Sequence, residues 1–162
     1  MDRVSRETRS RMMAGIKGKN TKPEQIVRKK LFAEGYRFRL HRKDLPGKPD
    51  IVLPSRKIAI FVHGCFWHQH QGCKHAKLPK SNTHIWWPKL EKNVLRDAKA
   101  IEDLLNIRWR VLVVWECATK DEQQLIVLGK SLSNWIEGDD QYSEIPPQLK
   151  QEEANTTGHL DA

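Results

Sequence analysis

Residues 63–73 read HGCFWHQHQGC: three histidines, two cysteines and two large aromatics within eleven positions. Residues of these types bind metal, move protons or stack on flat ligands. Cys65, His70 and Cys73 are separated by four and two residues, a spacing that lets a loop fold around a zinc ion. A tetrahedral site needs a fourth ligand, and the remaining cysteine of the chain is Cys117. Cys73 is set among Gln, Gly, Lys and His, whereas a cysteine that only packs belongs in an apolar strand. With His70 on zinc, His63 and His68 are left over. A histidine held by a carboxylate can take a proton from water. A histidine beside a phosphate can stabilise developing charge. A hydrolytic site combines both with a metal ion.

Two acids could join them. Asp50 follows Gly47-Lys48-Pro49 at the head of a strand, where its carboxylate is open to a divalent cation or serves as a cap. Asp97 falls on the apolar stripe of a long helix, where an unpaired carboxylate is costly. A histidine from residues 63–73 is its natural partner, in a catalytic pair or a structural ion pair. Phe66 and Trp67 sit between a metal ligand and a candidate base, and Trp86 and Trp87 open the long helix. Core packing is the default for aromatics, but the polar loop offers little core to enter. Aromatic faces on a basic protein suit base stacking or wedging into a duplex.

The elements that must position these groups follow from periodicity. Thr21 caps a helix with Pro23 in its first turn, Glu24 at the capping-box position, and Ile26, Val27 and Leu31 inward; Gly35 stops it. Residues 36–41 alternate as a half-buried strand. A Pro-Gly turn leads to a strand at 50–53, and a second turn leads to an apolar, central strand at 57–62. Residues 83–106 form the longest helix, with Leu90, Val94, Ile101 and Leu105 as its buried stripe. Residues 110–115 form a fourth strand, and residues 121–137 a last helix. The order α, β, β, β, α, β, α predicts an α/β fold, a mixed central sheet flanked by helices. A basic arm at 1–20 precedes this domain, 21–137, and a loosely ordered tail at 138–162 follows it.

The chain has 162 residues, enough for one domain with a core that needs no disulfides. Three cysteines without an export signal fit a reducing compartment and metal ligation, and a cytoplasmic location is expected. No run approaches the ~18 apolar residues of a membrane span. The net charge is +9, and the whole excess lies in the first fifty residues, which hold 15 basic and 6 acidic groups; the remainder holds 14 of each. So localised an excess points to a polyanion, most simply nucleic acid.

Five separated segments carry a family resemblance: Lys19 to Glu24, Leu45 to Asp50, Phe61 to His68, Asn93 to Asp97, and Trp109 to Cys117. On these the chain resembles the very short patch repair (Vsr) DNA mismatch endonucleases, from about Arg9 to Thr119. The resemblance implies a restriction-endonuclease-like core with a structural zinc loop. The Glu-x-Lys that usually completes the metal site of that core is replaced by Phe61-Val62-His63, a departure the family shares. It implies that Asp50 binds Mg2+ with the backbone carbonyl of Val62, and that Glu24 is the helical acid near the site. His68, oriented by Asp97, becomes the general base or water-positioning group, and His63 contacts the scissile phosphate or the metal's water. Cys65, His70, Cys73 and Cys117 become the Zn2+ ligands. Phe66, Trp67 and Trp86 become the DNA wedge, and the basic arm, with Arg9, Arg11, Lys17, Lys19 and Lys22, supplies phosphate contacts. The implied substrate is double-stranded DNA with a T:G mismatch left by deamination of 5-methylcytosine, nicked 5′ to the thymine by a monomer, with partner mismatch-repair factors left open. The competing readings are a zinc-stabilised DNA-binding module and a related restriction-type nuclease with other DNA specificity.

Overall fold

The computed structural model describes residues 20–147. Five strands make one sheet in the order β1-β2-β3-β4-β5: Arg39–Leu40, Ile51–Leu53, Ile58–His63, Arg110–Trp115 and Tyr142–Ile145. β1, β2 and β3 pair antiparallel, while β3–β4 and β4–β5 pair parallel, so the sheet is mixed. The helices are α1 (Lys22–Ala33), α2 (Thr83–Asn106), the short α3 (Cys117–Lys120) and α4 (Glu122–Glu137).

Strand alternation divides the core in two. Ile58 and Ile60 of β3, with Leu112 and Val114 of β4, pack with Val27 and Leu31 of α1 and Leu128 and Leu132 of α4. Ala59, Phe61, Val111, Val113 and Trp115 face the other way, onto Ala100 and Leu104 of α2. The same period of two places His63, the last residue of β3, on the α2 side. β3 and β4 run in parallel register to Val62–Val114 and His63–Trp115, so both end at the same edge.

Three details differ from the sequence reading. Tyr142–Ile145, expected in a loose tail, is a strand, because Val111 to Val114 offer it a free parallel edge. The buried stripe of α2 is Leu90, Ala100 and Leu104; Val94 is exposed, and Ile101 and Leu105 are half-buried. That rotation follows from a close approach. Gly47 has φ +72°, and a Cβ on it would lie 2.5 Å from the Ala100 Cβ, so the Leu45–Pro49 turn rests directly on α2. Finally, Thr21 Oγ1 accepts from the Glu24 N–H at 3.4 Å, but the Glu24 side chain turns into the protein instead of closing a capping box.

Candidate active site

Asp50 leaves the turn that Gly47 seats on α2, and its Oδ2 accepts the backbone N–H of Val62 at 2.8 Å. The bond ties the head of β2 to the end of β3. Burial pushes Asp50 up to about 6; the Val62 N–H pulls the other way, and the charge of Glu24 reinforces the rise. Glu24, 1% exposed, reaches toward Asp50 from α1. A carboxylate oxygen of each and a ring nitrogen of His41 lie within 4.8 Å of one another. Glu24 Oε2 is buried and has no hydrogen-bond partner among the described residues. Two carboxylates drawn together, one with an orphaned oxygen, fit a divalent cation.

The histidines occupy the next layer. His63 and His68 stack, and His68 Nδ1 lies 2.5 Å from Asp97 Oδ2. Asp97 Oδ1 is 3.9 Å from His63 Nε2. Asp97 is one helical turn beyond Asn93, whose Nδ2 donates to the Trp67 carbonyl at 3.2 Å. One face of α2 therefore holds both the loop backbone and the His68 ring. His63 is buried between Phe61 and the edge of Trp115. Burial first, and the charge of His68 second, hold it well below the ordinary histidine range.

His70 turns away from this layer. Its Nδ1 lies 3.7 Å from Cys65 Sγ and 3.6 Å from Cys117 Sγ, and Cys73 completes the group, all within 4.8 Å. A tetrahedral zinc with ordinary Zn–S and Zn–N bonds has an S···N edge of about 3.6 Å. The two His70 edges match that length, and the Cys65–His70–Cys73–Cys117 group could hold zinc. The His70 ring stacks on Trp115 at 4.2 Å, and Trp115 Nε1 donates to Glu144 Oε1 of β5 at 2.7 Å, which fixes the ring that fixes the ligand. Burial raises the Cys65 thiol strongly and Cys117 to about 11; a bound zinc would ionise both.

Phe66, Trp67 and Trp86 form a cluster with ring centroids 5.2 to 5.9 Å apart, each half-buried. Phe66 and Trp67 join Asp50, His63, His68 and Asp97 in lining one open cleft of about 770 Å³. Lys22 is exposed in the first turn of α1, while Arg9, Arg11, Lys17 and Lys19 lie outside the described residues. Among the described residues no helix is long and apolar enough to cross a membrane. Sequence reasoning missed His41, Arg28 and Glu144 in this neighbourhood. His41 carried a signal, since it ends an alternating segment; the others look like ordinary surface polars.

Comparison with known proteins agrees with this architecture. The family model described as DNA mismatch endonuclease Vsr matches residues 1–75. The chain is 54% identical over 120 residues to the type II nicking enzyme V.XorIIP of Xanthomonas oryzae pv. oryzae, covering 74% of this chain and 88% of that one. It is 48% identical over 114 residues to the type II nicking enzyme V.NmeAIP of Neisseria meningitidis, covering 70% and 81%. It is 39% identical over 143 residues to the DNA mismatch endonuclease Vsr of Escherichia coli, covering 87% and 91%. The class is therefore a DNA endonuclease on a restriction-endonuclease-like core. Within that class, the chain belongs to the Vsr family of DNA mismatch endonucleases.

Proposed function

We propose that this endonuclease nicks duplex DNA on the 5′ side of the thymine in a T:G mismatch, of the kind left by deamination of 5-methylcytosine, and so initiates very short patch repair. Asp50 holds Mg2+ with the Val62 carbonyl, and Glu24 supports it. The ion, when bound, polarises the scissile phosphate and offsets charge in the transition state. His68, held in one tautomer by Asp97, receives the proton of the attacking water. His63, kept neutral by burial, donates its N–H to the phosphate. Cys65, His70, Cys73 and Cys117 bind a structural zinc that fixes the loop between them. Phe66, Trp67 and Trp86 wedge at the mismatch, where opening a step costs less than in paired DNA. Lys22 and the arm residues Arg9, Arg11, Lys17 and Lys19 contact phosphates. Nicking one strand needs one active site, so a monomer suffices.

The observation that supports this reading is the shared cleft, in which Asp50, the His68–Asp97 pair and the apolar rings of Phe66 and Trp67 face one volume. Matched and T:G-mismatched duplexes, incubated with Mg2+ or EDTA, test it. The expected result is a single nick in the mismatched duplex, with Mg2+ only. A second reading, nicking of other DNA, is favoured by the relatives described as type II nicking enzymes; equal cleavage of both duplexes would establish it. Binding without cleavage under every condition would leave a zinc-stabilised DNA-binding module.

A further inference from the structure

Glu24 is held in a way that its place in the family does not explain. His41 Nε2 lies 2.6 Å from Glu24 Oε1, and Arg28 Nη2 lies 3.2 Å from the same oxygen. A carboxylate oxygen only accepts, so His41 Nε2 donates. Arg28 also donates to Asn20 Oδ1 at 2.8 Å and lies 3.4 Å from His41 Nε2. Both donors therefore converge on one oxygen of a fully buried acid, while the other, Oε2, has no partner among the described residues.

His41 has two ways to serve a cation here. As a ligand it would turn a ring nitrogen to the ion, and the grouping of His41 with Glu24 and Asp50 within 4.8 Å permits that. The guanidinium beside Nε2 argues against it, because a divalent ion at that nitrogen would sit against a fixed positive charge. We propose instead that His41 and Arg28 form a positioning clamp: they hold Glu24 by Oε1 and leave Oε2 as the oxygen that meets the cation at Asp50 or its water. The clamp makes Glu24 the second carboxylate of a core that lacks the usual Glu-x-Lys. This rests on the proposed cation site at Asp50. Outer contacts of this kind are worth about 10- to 100-fold in metal affinity.

The test uses Mn2+ as a paramagnetic substitute for Mg2+, bound by the full-length, zinc-loaded protein on a T:G duplex already nicked at the mismatch, so that no chemistry runs. Mn2+ affinity is read by electron paramagnetic resonance for the wild type, D50N, H41L and H41Q. Glutamine keeps an N–H that can reach Glu24, and leucine does not. The clamp predicts at least a tenfold loss of affinity in H41L, recovery to within about threefold in H41Q, and no 14N coupling to Mn2+ from His41 in pulsed spectra of the wild type. Zinc content reports whether H41L folds, and the wild-type spectrum and H41Q stand without it. Unchanged affinity in H41L overturns the clamp. So does a 14N coupling lost in H41Q, which would make His41 a ligand. Wild-type affinity in D50N, or no Mn2+ uptake by the wild type, overturns the cation site itself and the clamp with it.

Discussion

His63 and His68 stack with ring centroids 3.9 Å apart and planes 3° from parallel, and Asp97 reaches both. Two imidazolium rings would repel at that distance, so the pair is built to carry one positive charge at most. Burial holds His63 well below the ordinary histidine range, and His68 is the member bonded to Asp97. Asp97→Asn keeps the shape but no longer stabilises a cationic His68. The nicking rate should fall about 10²-fold or more while zinc content is unchanged. Single-turnover rates and metal analysis check this, and zinc loss in the variant would contradict the division between His68 and His70.

Asp50 gives the metal-free protein a pH dependence whose sign is fixed. Its folded value of about 6 lies above the unfolded 3.8, so the folded state holds the proton more tightly. The resulting stability is present below pH ~4 and is lost as pH rises through ~6, in total on the order of 3 kcal/mol. A divalent cation held by Asp50, as proposed, would reverse this by binding the ionised form. Mg2+ should therefore raise the melting temperature more at pH 7 than at pH 5. Asp50→Asn should abolish that difference, and thermal melts at both pH values for both proteins decide it.

The Cys/His group that could hold zinc stands between strand ends and helix starts. Cys65 follows β3, Cys117 opens α3, and His70 and Cys73 lie in the loop between β3 and α2. Removing Cys73 leaves the loop without its anchor to Cys117. Cys73→Ser should lose zinc, lower the melting temperature and reduce nicking. The free energy at stake is at least several kcal/mol, given the roughly 10 kcal/mol or more of structural zinc sites. A chelator that reaches the site should reproduce all three effects, and added zinc should restore them only in the wild type.

Much of this arrangement was legible in the chain because it follows short-range rules. Strand periodicity carries Ala59, Phe61 and His63 to one face, and helical spacing carries Asn93 and Asp97 to the matching face of α2. The spacing of Cys65, His70 and Cys73 anticipated that these side chains converge in a group that could hold a metal. What stayed hidden depends on tertiary approach. Glu24 looked like a capping-box acid, and only the fold brings His41 from the other side of the α1–β1 connection to draw it inward. Tyr142–Ile145 reads as tail, since a four-residue edge strand with Ser143 and Glu144 becomes visible only once β4 presents its edge. The Val62 N–H bond to Asp50 likewise depends on β2 meeting β3 and has no signature in the sequence.

Trp67 supplies the last expectation. Its backbone carbonyl accepts from Asn93, and its ring packs against Phe66 at 76° and Trp86 at 59°. If the three rings form the proposed wedge, it acts where the duplex is already weak, and its energy should appear as discrimination more than as overall affinity. Base–aromatic stacking is worth about 1–3 kcal/mol per base. Trp67→Ala should therefore reduce the preference for a T:G over a matched duplex by about tenfold or more, with total affinity, dominated by phosphate contacts, changed less. Competition binding of the two duplexes at fixed salt measures both quantities. An unchanged ratio would remove Trp67 from mismatch recognition and leave it as packing for Trp86.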